Sequence, residues 1–318
     1  MNAAFALLGY AFVVGTLGAH LLRRATWPER APRLGILTWQ MMSGSLVASV
    51  VLAGLGLALP VWPITMNLAE LLDTCVMLLR TQYATPGGAL VCTLGLTVTV
   101  LVLARGAYCG ARTSWRARSI QAHQRRQLAL VARHHSALDA VVLEHAACAA
   151  YCVPGRGGQV VFTTATLAAL DDEQLAAVMQ HERAHLRGRH HLVILAASSL
   201  RAAFPFVPAF RWAEDEVGRL TEMLADDAAA RHADRLTLAT ALVRLAEGAT
   251  PAGALGAGGQ TALTRVKRLA APAAPLGGAR CLVAVLGVAL LAVTPLVLSV
   301  APAAAVMSAG YCPIVLPQ

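Results

Sequence analysis

Hydrophobic residues in this chain of 318 residues gather into long runs rather than the short stripes of a soluble domain. Four uncharged runs are candidates to cross a bilayer, which takes about 20 residues. They are Ala3 to Leu22, Leu34 to Ala58, Ala89 to Leu103 and Cys281 to Val300. The third is the shortest, with Pro86-Gly87-Gly88 setting its start and Arg105 its end. A fifth run, Leu192 to Phe210, contains Arg201, Pro205 and Pro208, and reads as a core or interfacial helix. Between the third and fourth runs the periodicity changes. Leu175, Val178, Met179 and Leu186 recur at helical spacing within a stretch from Leu175 to Ile194. Asp171 is its expected N-cap, Gln174 stands at the capping-box position, and Leu170 and Leu175 form the staple.

Shorter signals fill in the rest. Trp115 to His135 reads as a basic, helix-prone connection, followed by the turn residues Ser136 and Asp139. Val141 to Glu144 and Gln159 to Thr164 are β-branched runs with Gly155-Arg156-Gly157-Gly158 between them, so they read as a strand pair around a turn. Glu222 to Ala230 and Thr237 to Glu247 are helix-forming, and Gly248 to Gln260 is a flexible Gly- and Ala-rich segment. Leu68, Leu71, Leu72, Cys75, Val76 and Leu79 give the Pro60 to Gly88 connection an apolar helical face. That face suits either a helix on the outer membrane surface or one packed against the spans.

Composition places the chain among membrane proteins. It is 57% hydrophobic and 14% charged, with mean hydropathy +0.60. Arg23, Arg24, Arg30 and Arg33 crowd the first connection, whereas the second carries only Arg80 against Glu70 and Asp73. The positive-inside rule then makes the first connection cytoplasmic and puts both termini outside. The long region from Arg105 to Arg280 follows into the cytoplasm, in keeping with its 21 of the 26 basic residues. Arg112, Arg116, Arg118, Arg125 and Arg126 suit attraction to anionic lipid. No aromatic-interleaved basic patch accompanies the net charge of +9, so direct nucleic-acid binding is not expected. The first run lacks a basic n-region and reads as a retained span. Seven scattered cysteines form no disulfide framework. Cys148 and Cys152 are the one close pair, either a soft metal site on a helix or buried small side chains.

The chemistry lies in His181-Glu182-Arg183-Ala184-His185. On a helix, residues four apart share a face, so both imidazoles can reach one ion. Glu182 is left beside the metal, where it can take a proton from a bound water. Zinc suits neutral nitrogen ligands and an open position, and acidifies the water held there. A catalytic site of this kind takes three protein ligands. Glu222 and Asp226, also four apart, supply a third ligand and a partner for the second nitrogen of a ligand histidine. His190 and His191 compete for the third place, provided that a turn brings them back. His232, ten residues beyond Glu222, is a candidate second oxyanion donor or else a polar surface residue.

The pattern His181-Glu-x-x-His185 followed by Glu222-x-x-Ala-Asp226 resembles the gluzincin membrane peptidases. These include the HtpX-type and prenyl-protein-processing proteases and the BlaR/MecR antirepressor peptidases. Val160 to Ala165 with Leu167, Leu170 and Asp171, the aromatic-Pro segment Phe204 to Pro208, and Arg265-Val266-Lys267-Arg268-Leu269 resemble stretches of the antirepressor type. The resemblance implies a cytoplasmic protein substrate, such as a winged-helix repressor, cleaved in response to an envelope signal. Relatives of that type carry an extracellular penicillin-binding domain with a nucleophilic serine and lysine. Here the sequence runs to Gln318 and its one lysine, Lys267, falls on the other side, so acylation by β-lactams is not expected.

The expected architecture is a mainly α membrane protein: four transmembrane helices, with a cytoplasmic α+β zincin-like peptidase domain between the third and fourth. Residues 1–110 form the three-span region, 111–279 the peptidase domain, and 280–318 the last span and an external tail. One zinc ion per chain is the expected cofactor. A receptor-like scaffold with a structural metal site, and a transporter using His20, are the competing classes; no internal repeat supports the latter.

Overall fold

The computed structural model describes residues 2–58, 76–77, 80, 83–84, 86–136, 138–155, 157–249, 258–271 and 274–308. Helix α1 (Asn2–Val13) passes through a π-helical turn at Val14–Gly18 into α2 (Ala19–Arg24). A short α3 (Trp27–Arg30) leads to α4 (Pro32–Ala58), then come α5 (Gly88–Val131) and, near the other end, α12 (Gly278–Ser308). Among the described residues, four helices are long and apolar enough to cross a membrane: Ala3–Arg24, Pro32–Ala58, Gly88–Val131 and Gly278–Ala301. The apolar face expected in the second connection lies outside the described residues except for Val76, as do 250–257 of the flexible segment.

The third candidate span does not stop at Arg105. Helix α5 runs for 44 residues, about 66 Å at 1.5 Å per residue. Between Leu103 and Val131 there is no proline, and Gly106 and Gly110 alone are too weak to end a helix. The basic connection expected at Trp115 is therefore the continuation of the span. Helices α4 and α5 meet backbone to backbone at Gly54 and Gly95, where a Cβ on Gly54 would lie 2.7 Å from the Gly95 carbonyl oxygen. Such close approach needs small residues.

The peptidase region begins with strands β1 (Arg133–His135), β2 (Ala140–Leu143), β3 (Ala150–Val153) and β4 (Gln159–Thr163), in the order β1-β2-β4-β3. Here the expected strand pair is corrected. β2 and β4 are neighbours but parallel, with Val142 opposite Phe162. The hairpin around Gly155 is made by β3 and β4, with Cys152 opposite Val160. Ala150-Tyr151-Cys152-Val153 was not read as a strand because alanine and cysteine carry little β signal. β4 is thus interior, and the edges are β1 and β3. Cys148 and Cys152 do not share a helix: the first is buried in a loop and the second lies on β3.

Six helices follow: α6 (Thr164–Ala169), α7 (Asp172–Arg187), α8 (His190–Ala203), α9 (Pro208–Ala229), α10 (Arg235–Ala249) and α11 (Gly258–Ala270). The run from Leu192 to Phe210 becomes α8, a break, and the start of α9. With 14 residues, α8 spans about 21 Å, short of the ~30 Å of hydrocarbon. The α8–α9 pair packs against the spans: Phe204, Phe210, Ala213, Val217 and Leu220 share one core with Ala19, Trp39, Met42 and Leu46. Arg219 bonds Glu29 at 2.7 Å and Arg268 bonds the Glu29 carbonyl at 3.0 Å. The first connection is therefore in direct contact with the peptidase region.

Candidate metal centre

Helix α7 starts where its cap chemistry says it should. The Asp171 side chain accepts from the Gln174 backbone at 2.9 Å, and the Asp171 backbone donates back to Gln174 Oε1. Leu175, Val178 and Met179 bury against β4 and α10, through Val160, Phe162 and Ala241. That turns the adjoining face, with His181 and His185, toward α9. Gly188 and Arg189 end the helix, the latter left-handed at φ 48°, and α8 leaves in a new direction.

Helix α9 carries two faces. Ala213, Val217 and Leu220 face the spans, while Glu222 and Asp226 face α7. His181 Nε2 and His185 Nε2 are 3.1 Å apart, and each stands 3.5 Å from an oxygen of Glu222. Two ligands about 2.0–2.1 Å from one tetrahedral zinc would be about 3.4 Å apart. The three groups match that triangle, and among the described residues they are the cluster that could hold a metal ion. His181 turns its other nitrogen to Asp226, Nδ1 to Oδ1 being 3.0 Å, although the ring proton is poorly aligned with that oxygen. His190 is brought back by the turn, but to the wrong nitrogen: its Nδ1 lies 3.2 Å from His185 Nδ1, behind the ligand ring. His191 is not in the cluster. Nor is His232, exposed beyond α9 and lining a separate cavity with His190.

The chain matches the model of Peptidase family M48 over residues 114–275, just over half of its length. It belongs to peptidase family M48. No curated protein and no solved structure matches it. Membership makes the chain a metallopeptidase, a hydrolase, and the family is typically metal-dependent.

The electrostatics of this M48 site favour a cation between the carboxylates. Burial alone would lower the His181 pKa, but Asp226 and Glu222 outweigh it and lift it to about 9. The field that draws a proton there also draws a metal ion. Burial lowers His185 to about 4, with Glu222 opposing, so its ring is the neutral form that a metal needs. Burial likewise opposes the charges of Glu222 and Asp226, yet His181 and Arg265 hold both carboxyls down at about 2. Glu182 differs: burial pushes its pKa above the usual carboxylate value, as suits a base.

Two participants escaped the sequence reading. Arg265, taken for part of a basic motif before the last span, forks onto Asp226 at 2.7 and 2.8 Å and reaches Glu222 at 3.0 Å. Its spacing signal was hidden because α11 is some forty residues further along the chain. Cys152, on an edge strand, lies close to Glu182; burial first, then that carboxylate, pushes its thiol to about 12, so it stays a thiol.

Proposed function

We propose that this M48 peptidase is a zinc-dependent endopeptidase held in the membrane, cleaving a cytoplasmic protein on the pattern of the antirepressor peptidases. The convergence of His181, His185 and Glu222 on one point carries the reading, with Glu182 beside them. Two imidazoles and one carboxylate are a donor set suited to catalytic zinc. When bound, zinc acidifies a water and polarises the scissile carbonyl. Glu182 takes the proton of the attacking water and returns it to the leaving amine. Asp226 holds His181 in one orientation, and Arg265 holds Asp226 and Glu222. Because the guanidinium fork is committed to those carboxylates, Arg265 is a positioning residue.

Among the described residues β3 pairs only with β4, and its other edge gives the substrate a place to add as a strand, running past Cys152 and Glu182. The arginines of the first connection lie on the peptidase side, which supports a cytoplasmic orientation. A winged-helix repressor is the substrate class that the resemblance implies.

Purified full-length protein, loaded with zinc and assayed on casein, tests the reading. Wild type is expected to hold one zinc and cleave; Glu182→Gln keeps the zinc and loses cleavage. His181→Ala, His185→Ala and Glu222→Ala are each expected to lose the zinc. Full zinc retention in Glu222→Ala with loss in His190→Ala or His191→Ala would overturn the ligand set. A zinc-loaded wild type that cleaves neither casein nor a repressor would make the metal structural.

A further inference from the structure

A cavity of about 490 Å³ opens where the first turn of α4 meets the α7–α8 turn and the end of α9. His190 stands in its wall, and through His185 it connects the cavity to the metal cluster. The charged lining is of one sign, Arg33, Arg187 and Arg231 with neither Asp nor Glu, and His190 and His232 stand beside them. Among the described residues, none of these arginines takes part in an ion pair, and Arg187 reaches only Gln180, at 3.4 Å. Nearby arginines are neutralised: Arg265 by Asp226, Arg268 by Asp227 and Arg219 by Glu216. Three unneutralised guanidinium groups around one hollow repel one another and raise the local concentration of anions.

Position narrows the anion. Helix α4 has 27 residues, about 40 Å in length, against ~30 Å of hydrocarbon. Its first turn, with Arg33, therefore stands at headgroup level. Ile36, Val193 and Leu224 add an apolar wall beside the charged one. Guanidinium forks match phosphate oxygens in pairs.

We propose that this cavity binds a phosphate group, that of an anionic phospholipid headgroup in the leaflet facing the peptidase region. The glycerol end of the lipid lies along Ile36 and Val193. His190 lies between the phosphate and the back of His185, so occupancy bears on the metal site. The assignment rests on the cavity and the spans, and its test reads binding, so it stands or falls apart from peptidase activity.

Full-length protein in detergent is titrated with short-chain phosphatidylglycerol, short-chain phosphatidylcholine, inorganic phosphate and a peptide with a free carboxylate. Native mass spectrometry and thermal unfolding report binding. One phosphatidylglycerol per chain is expected, bound about tenfold more tightly than phosphatidylcholine. The double variant Arg33→Gln with Arg231→Gln loses that preference, while Arg133→Gln with Lys267→Gln, exposed and outside the cavity, keeps it. Should the first double variant fail to fold, Arg187→Gln on the exposed turn is expected to weaken binding severalfold. Unchanged binding in the cavity variants overturns the site. Inorganic phosphate binding as tightly as the lipid makes it a soluble-anion site and overturns the lipid assignment. Displacement by the peptide at equal concentration assigns the cavity to the substrate path and overturns it too.

Discussion

Asp226 is 1% exposed; both its oxygens accept from Arg265, and Oδ1 also faces His181 Nδ1. Arg265→Met leaves that carboxylate buried without its partner, which costs about 3–5 kcal/mol. Arg265→Lys keeps the charge but not the fork, and costs less. Thermal unfolding in detergent distinguishes the two, and zinc affinity is expected to fall about 10–100-fold in both, as for other partners of metal ligands. The pH profile belongs to Glu182. A base works only when deprotonated, and burial raises this one. The acid limb of kcat/KM is therefore expected above the ordinary glutamate value of about 4.3, with activity lost as pH falls through it. A limb at or below that value would show the carboxyl to be well solvated.

Helix α9 joins the chemistry to the membrane, because one side of it packs on α4 while the other carries Glu222 and Asp226. Close approach at its membrane face depends on Gly35, whose added Cβ would sit 2.7 Å from Pro28 Cβ and 2.9 Å from Leu220 Cδ1. Gly35→Val is expected to push α4 from α9, destabilising by about 1–3 kcal/mol as overpacking does. Gly110, on the part of α5 beyond the apolar run, has nothing within 4 Å of an added Cβ. Gly110→Ala is expected to stabilise by up to about 1 kcal/mol through helix propensity alone. Paired unfolding measurements check both, and equal effects would remove the packing argument.

Across the whole molecule, contact ties the first connection to the peptidase region. Glu29 in the first connection holds Arg219 of α9 and Arg268 of α11. In the proposed topology these parts share a compartment. The arginines make that compartment the cytoplasm in the proposed topology. Reporter fusions after Arg33 and near Gly256 are expected to read cytoplasm, and those near Asn67 and after Gln318 the outside. An exterior signal at Gly256 would invert the topology and exclude a cytoplasmic substrate.

Local signals were enough for much of this. Uninterrupted apolar runs mark the candidate spans, since a bilayer demands length and lack of charge and little else. Asp171 and Gln174 mark the start of α7, since a cap acts over three residues, and the four-residue spacing of His181 and His185 puts two nitrogens on one face. Other features needed the tertiary structure. Glu222 and His190 were both open as third ligand, because only the turn at Arg189 and the packing of α9 determine which nitrogen each one meets. β3 was missed, because its weak β propensity is overridden by pairing with β4. Arg265 looked like membrane-proximal charge, since nothing local to it indicates that α11 returns to Asp226. Contacts set by spacing within one helix are written in the sequence, whereas contacts between helices depend on how the spans and the peptidase core pack.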